Sequence, residues 1–281
     1  MDIQSLVPIF YAFLGGLIPT LIWLYFWTRE AGKDPEPKSI VALSFIGGMV
    51  AVVISLILEK YFYNLGLKHV LESCLLSHIV PWFETILKNI NASIAVANKL
   101  LPIGASKQQF VTLDNLLLVT MFAPFIEEVS KFVMSYVLVL SSKFDNKPID
   151  PMIYLISTAL GFAAIENMLF LIGPFSKQDY LATLFTGNMR FIGATLVHTT
   201  SSAIIAMFIS FHFFYSKIKK DLYIIAGIIS AIIVHGTFNY MMIGNSQNSI
   251  LALEFIWVIV IIILLAFEKI KKIRKEQILL A

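Results

Sequence analysis

Apolar runs of about 20 residues, each long enough to cross a hydrocarbon layer of about 30 Å as a helix, recur along almost the whole of this 281-residue chain. Such a chain lacks the polar surface of a water-soluble globule. Of its residues 58% are hydrophobic and only 14% charged, where soluble domains carry about a quarter charged residues. Within lipid the backbone must satisfy its own hydrogen bonds, and runs of this length do so as helices. The fold class is therefore all-α: a polytopic membrane protein, a bundle of about seven transmembrane helices. The spans fall at about 6–27, 39–62, 114–140, 151–173, 190–214, 221–243 and 248–268. The net charge of +3 is small and localised, so no nucleic acid partner is expected; the partner that the composition implies is the lipid bilayer.

The basic residues orient the bundle. With the N-terminus extracytoplasmic and the C-terminus cytoplasmic, Arg29, Lys33, Lys38, Lys143, Lys147, Lys217, Lys219 and Lys220 fall in inner loops. A basic tail at 269–281 adds Lys269, Lys271, Lys272, Arg274 and Lys275. Positive charge collects on the inner side, as it does in multi-pass proteins of the cell membrane. The N-terminus has no basic region before its first apolar run and no small-residue cleavage site, so that run reads as a retained helix. Cys74 is the sole cysteine, which excludes an internal disulfide and a cysteine-built metal site. Between the second and third spans, 63–113 is not a clean span. It carries His69, Glu72, His78 and Glu84 among apolar residues at helical spacing, the pattern of an extracytoplasmic amphipathic insert on the membrane surface or over the bundle. With no internal repeat and no low-complexity linker, 1–281 reads as one domain.

Ionisable groups within a bilayer cost about 2.5–3.5 kcal/mol each on insertion scales, so those present are the most informative residues. The third span holds Glu127, Glu128 and Lys131 in "EEVSK", and the fourth holds Glu166 and Asn167 in "GFAAIEN". His198 lies in the fifth, and His235 and Asn239 in the sixth, in "HGTFN". Glu127 and Lys131 stand four residues apart and share a helix face, so the ammonium is expected to neutralise a carboxylate there. Glu128 points about 100° away. Counted from the outer ends of their spans, His198 and His235 fall about 12 Å deep, Glu166 about 10 Å and Glu127 about 15–20 Å. Four helices thus place polar groups in one outer-to-middle layer, which scattered structural polar residues have no reason to do. His212, at an inner helix end, and His69 and His78 read as interfacial.

In this order these motifs resemble those of the PrsW family of intramembrane proteases, related to the CAAX-protease and bacteriocin-processing group. "EEVSK" fits the family's EExxK and "GFAAIEN" its second glutamate motif. "RFIGATLVHTTSSA" fits the helix with an Arg followed by a His, and "HGTFN" the last histidine motif. "REAGKDPEPKSIVALSFIGG" is similar to the family's acidic, proline-bearing cytoplasmic segment. The stretch 63–113 has no counterpart in the resemblance. The resemblance implies endoproteolysis of a membrane-anchored or membrane-proximal protein substrate. In bacterial members it is associated with site-1 cleavage of anti-sigma factors, on the extracytoplasmic side.

Peptide hydrolysis needs an activated water, a stabilised oxyanion and a proton for the leaving amine. Glu127, Glu128, Glu166, His198 and His235 are the candidate catalytic residues, with Lys131, Asn167 and Asn239 in support. In a metal-free glutamic-type mechanism Glu127 is the base and Glu128 its partner. His198 then orients water, His235 and Asn239 donate to the oxyanion, and Glu166 holds a histidine or shares the acid/base work. The same carboxylates and histidines are adequate zinc ligands, and the absence of HExxH counts only weakly against a metal. The metal-free form, with no cofactor, is the expectation carried forward, and zinc is the alternative. A different class, a proton- or cation-coupled transporter, would show repeated halves and broken helices; neither is visible.

Overall fold

The computed structural model describes residues 3–32, 36–64, 118–243 and 246–273. Among the described residues the chain forms seven helices and no strand. They are α1 (Ile3–Glu30), α2 (Lys38–Asn64), α3 (118–140), α4 (Asp150–Ser176), α5 (Tyr180–Phe211), α6 (Lys217–Ile243) and α7 (Ser246–Ile270). The amphipathic insert expected at 63–113, with His69, His78 and Cys74, lies almost wholly outside the described residues.

Among the described residues six helices are long and apolar enough to cross a membrane, and the protein is a multi-pass integral membrane protein. The seventh expected span, α3, is not among the six. It carries Glu127, Glu128 and Lys131, and it is built of three sections. Wide π-helical turns at Leu118–Phe122 and Tyr136–Leu140 flank an α-helical centre, Ala123–Ser135, opened by Pro124. It packs against α2, α4, α5 and α6, so its charged face meets protein.

Large apolar side chains lie on the outside of the bundle as well as in its core. Phe10, Ile57, Val137, Ile229 and Leu265 are exposed on its flanks, while Thr199, Thr200, Ser201, Ser202, Glu128 and Lys131 are wholly buried. Two of the buried hydroxyls return to the preceding turn: Thr199 Oγ1 donates to the Thr195 carbonyl at 2.6 Å and Thr200 Oγ1 to that of Leu196 at 2.8 Å, so these two add no unmet polar group to the core.

α4 runs through the centre, between α1 and α2, and against α5. Glycine makes the α2–α4 approach attainable. A Cβ on Gly48 would lie 1.8 Å from the Thr158 carbonyl oxygen, and one on Gly161 would lie 1.8 Å from that of Phe45. α5 starts at Tyr180, ten residues before the expected span. Asp179 caps it, its side chain accepting from the Ala182 amide at 2.9 Å. That N-terminal extension exposes Tyr180, Leu181, Leu184 and Phe185 while its other side packs on α4, so it is apolar like the spans.

Candidate active site

Ionisable residues from each of α3, α4, α5 and α6 converge on one cavity of about 600 Å³. Its lining includes Glu127, Glu166, His198, His235 and Asn239, together with Glu59 and Arg190.

The two adjacent carboxylates go separate ways, as a 100° rotation between neighbours requires. Glu127 faces the cavity. Its Oε2 lies 3.6 Å from His235 Nε2 and 3.7 Å from His198 Nδ1, and has no hydrogen-bond partner although buried. Glu128 turns into the interface of α3 with α5 and α6. There its Oε1 receives Lys131 Nζ at 2.5 Å, Ser201 Oγ at 2.7 Å and His235 Nδ1 at 2.7 Å, and its Oε2 receives Ser202 Oγ at 3.1 Å. The expected i,i+4 pairing of Lys131 with Glu127 is therefore corrected: the ammonium pairs with Glu128, three residues away. Glu128 is the carboxylate buried without any exposure, so it has the greater need of a cation. Lys131 Nζ also lies 3.3 Å from His198 Nδ1 and over the Phe162 ring at 4.9 Å.

Each histidine is held from behind by a carboxylate. His235 Nδ1 meets Glu128, and His198 Nε2 meets Glu166 Oε2 at 2.6 Å. The imidazoles stand edge to face with centroids 4.9 Å apart. Glu166 Oε2 also accepts from Arg190, whose Nε donates to Asn167 Oδ1 at 2.5 Å; Asn167 Nδ2 in turn donates to Thr195 Oγ1 at 2.9 Å. Asn167 thus braces Arg190 at the edge of the cavity, and Asn239 lines it one turn from His235.

A π-helical turn at Arg190–Ala194 lets α5 present both Arg190 and His198 to Glu166. In a regular helix eight residues advance about 800°, or 80° off register. A wide turn absorbs one residue and leaves them about 20° apart. Arg190 enters the sequence reading only through the motif with an Arg followed by a His; its meeting with Glu166 is what regular helical spacing hides. Ser201 and Ser202 were missed because a hydroxyl in a span usually bonds its own helix. Glu59 was passed over because it stands near the end of its span. His212 lies away from the cavity, stacked on Tyr223.

A family profile described as "PrsW family intramembrane metalloprotease" matches residues 90–267. The chain belongs to the PrsW family. Similar curated relatives are each named "Protease PrsW". That of Clostridioides difficile (strain 630) is 26% identical over 254 residues, covering 89% of this chain and 83% of the relative. That of Shouchella clausii (strain KSM-K16) is 27% identical over 151 residues, covering 53% and 64%. No solved structure matches the chain. Family membership decides between the two functional classes left open above: the protein is an intramembrane protease, not a transporter.

The family description implies a metal, and the residues present fit one. Glu127, His198 and His235 each offer a ligand atom, all within 4.8 Å of one another. Two imidazoles and a carboxylate are a common donor set for a catalytic zinc. The partnerless buried Glu127 Oε2 lies between the two histidine nitrogens that face it.

Proposed function

We propose that this protein cleaves a membrane-anchored substrate next to the membrane on its extracytoplasmic side, with Glu127, His198 and His235 holding a zinc ion. The observation that carries this reading is that each histidine has one nitrogen on a carboxylate, Glu128 or Glu166, and the other turned to Glu127. Carboxylates behind the imidazoles fix tautomer and ring plane, as around zinc-bound histidines generally. When bound, the metal held by these residues would supply an acidified water and a positive charge.

The chain's own groups do the rest. Lys131, Ser201 and Ser202 absorb the charge of Glu128 inside the helix interface, which keeps it out of the cavity. Glu166 takes the proton of the attacking water and passes it to the leaving amine. Arg190 and His198 both meet its Oε2, so its other oxygen is left for that exchange. Asn239 donates to the oxyanion from the cavity wall. The extracytoplasmic assignment rests on the charge bias of the inner loops, and an anti-sigma-factor-like substrate rests on the family resemblance.

One contact favours the metal-free alternative: Lys131 Nζ at 3.3 Å from His198 Nδ1 occupies the lone pair a metal would use. In that form Glu127 is the base. Metal analysis of the purified protein, with a single-span reporter assay, separates the two. The zinc reading expects about one metal per chain, loss of cleavage on chelation and recovery on adding zinc. Full cleavage by metal-free protein would sink it and leave the glutamate mechanism.

A further inference from the structure

The cavity holds a carboxylate that the chemistry above leaves unused. Glu59 lines it from near the outer end of α2, half-buried, with no hydrogen bond or ion pair to another described residue. Val52, Ser55, Leu56 and Glu59 recur at i, i+3, i+4 and i+7, so one face of α2 walls the cavity from floor to rim. Val52 fixes the floor: it packs with Phe162, the ring beside His198. Glu59 stands seven residues further out, about 10 Å along the helix. On α4, Glu166 stands four residues out from Phe162, about 6 Å. Glu59 therefore lies about 4 Å beyond Glu166 toward the mouth, close to the rise of one residue of extended chain, about 3.3 Å.

The charge balance gives this position a use. Glu59, Glu127 and Glu166 are the acidic residues lining the cavity, and Arg190 is the one lysine or arginine among the described lining residues. Arg190 is committed to Glu166 and Asn167, and Glu127 to the proposed metal. Among the described residues Glu59 has no counter-charge, and it shares a largely apolar rim with Leu56, Leu169 and Phe170. A carboxylate in such surroundings is stabilised by a cation brought to it. A polypeptide entering at the membrane surface carries such cations as lysine and arginine, whose apolar stems follow a greasy wall while the charged head stays near water.

We infer that Glu59 determines specificity by receiving a lysine or arginine side chain of the substrate, roughly one to three residues to the outer side of the scissile bond. This rests on the protease reading of the cavity and names what that cavity selects. The test uses the full-length protein in detergent and single-span reporters whose cleavage site is mapped by mass spectrometry. The reporters carry Lys, Ala or Glu at the outer flanking positions. The wild type cleaves the Lys reporter about tenfold more efficiently than the Ala reporter, mainly through KM, and the Glu reporter least. Glu59→Gln brings the Lys-to-Ala ratio close to one, and Glu59→Lys reverses the order in favour of Glu. Equal cleavage of all three reporters by the wild type overturns the inference. So does an equal fall in kcat on all three in Glu59→Gln, which makes Glu59 a proton-transfer group. A wild type that cuts none of them, no different from Glu127→Gln, overturns instead the protease reading beneath it.

Discussion

Lys131→Met removes a buried ammonium from the interior of the site while keeping a side chain of similar length. Lys131 and Glu128 are both fully buried and 2.5 Å apart, and removing one member of such a pair costs about 3–5 kcal/mol. Ser201, Ser202 and His235 still donate to Glu128, so the low end, about 3 kcal/mol, applies. At about 2–4 °C per kcal/mol, the apparent melting midpoint in detergent falls by about 6–12 °C. The pair is tested by a double-mutant cycle. Glu128→Gln with Lys131→Met leaves no uncompensated charge, and its loss is smaller than the sum of the two single losses by about 1–3 kcal/mol. A midpoint shift under about 2 °C in Lys131→Met would refute the reasoning. So would single losses that add to within about 0.5 kcal/mol.

Other changes follow from the same geometry. Glu127→Gln and His235→Ala each abolish reporter cleavage and lower bound zinc below one per chain, while the helical circular dichroism signal persists. Gly161→Ala drives a methyl into the Phe45 carbonyl and reduces the yield of folded protein, read by size exclusion in detergent. In the loop between α3 and α4, burial raises the Asp145 carboxyl, with Glu36 adding to this and Lys220 opposing it, so that it is pushed up to about 6. The folded state then holds the proton more tightly than the unfolded chain. Stability from this group is greatest below about pH 4 and is lost as pH rises through about 6. Asp145→Asn flattens that slope between pH 4 and 7 in thermal unfolding. A reporter fused after Lys147 is cytoplasmic and one fused at Asn91 extracytoplasmic; the reverse result would place the site on the other face.

Much of the fold was legible because lipid leaves few options: long apolar runs become helices, and their number and order follow. The boundaries were less so. The N-terminal extension of α5 opens with an Asp179 cap but carries few of the polar residues that mark a surface helix, so the span was started at Arg190. Glu127, Glu166, His198 and His235 could be grouped from sequence because each is an isolated polar group in apolar surroundings. Their pairing could not. Whether Lys131 reaches Glu127 or Glu128 is a rotamer choice between two faces, settled by how completely each carboxylate is buried. That Arg190 shares Glu166 with His198 was hidden by the π-helical turn, since the rule that assigns residues to faces assumes 3.6 per turn.

The polar groups of the four helices meet although the start of α5 differs from the expected one, and for an energetic reason. Counted from Tyr180, where α5 begins, His198 lies about 27 Å along its helix, and the shared layer would have been lost. Yet His198 meets Glu166 and stands against His235. A buried imidazole or carboxylate in a bilayer must find partners at its own level, because a separate burial costs several kcal/mol. The polar groups therefore fix the vertical register of α3, α4, α5 and α6 among themselves, and the helix ends are left to vary outside that layer. The same requirement ties chemistry to stability. Glu128 and Glu166 orient the histidines and also supply the contacts that make burying them tolerable. A substitution at either is expected to loosen the bundle as well as to slow cleavage. Glu127, whose Oε2 has no partner, is the position where removing a charge disturbs activity with little cost to the fold.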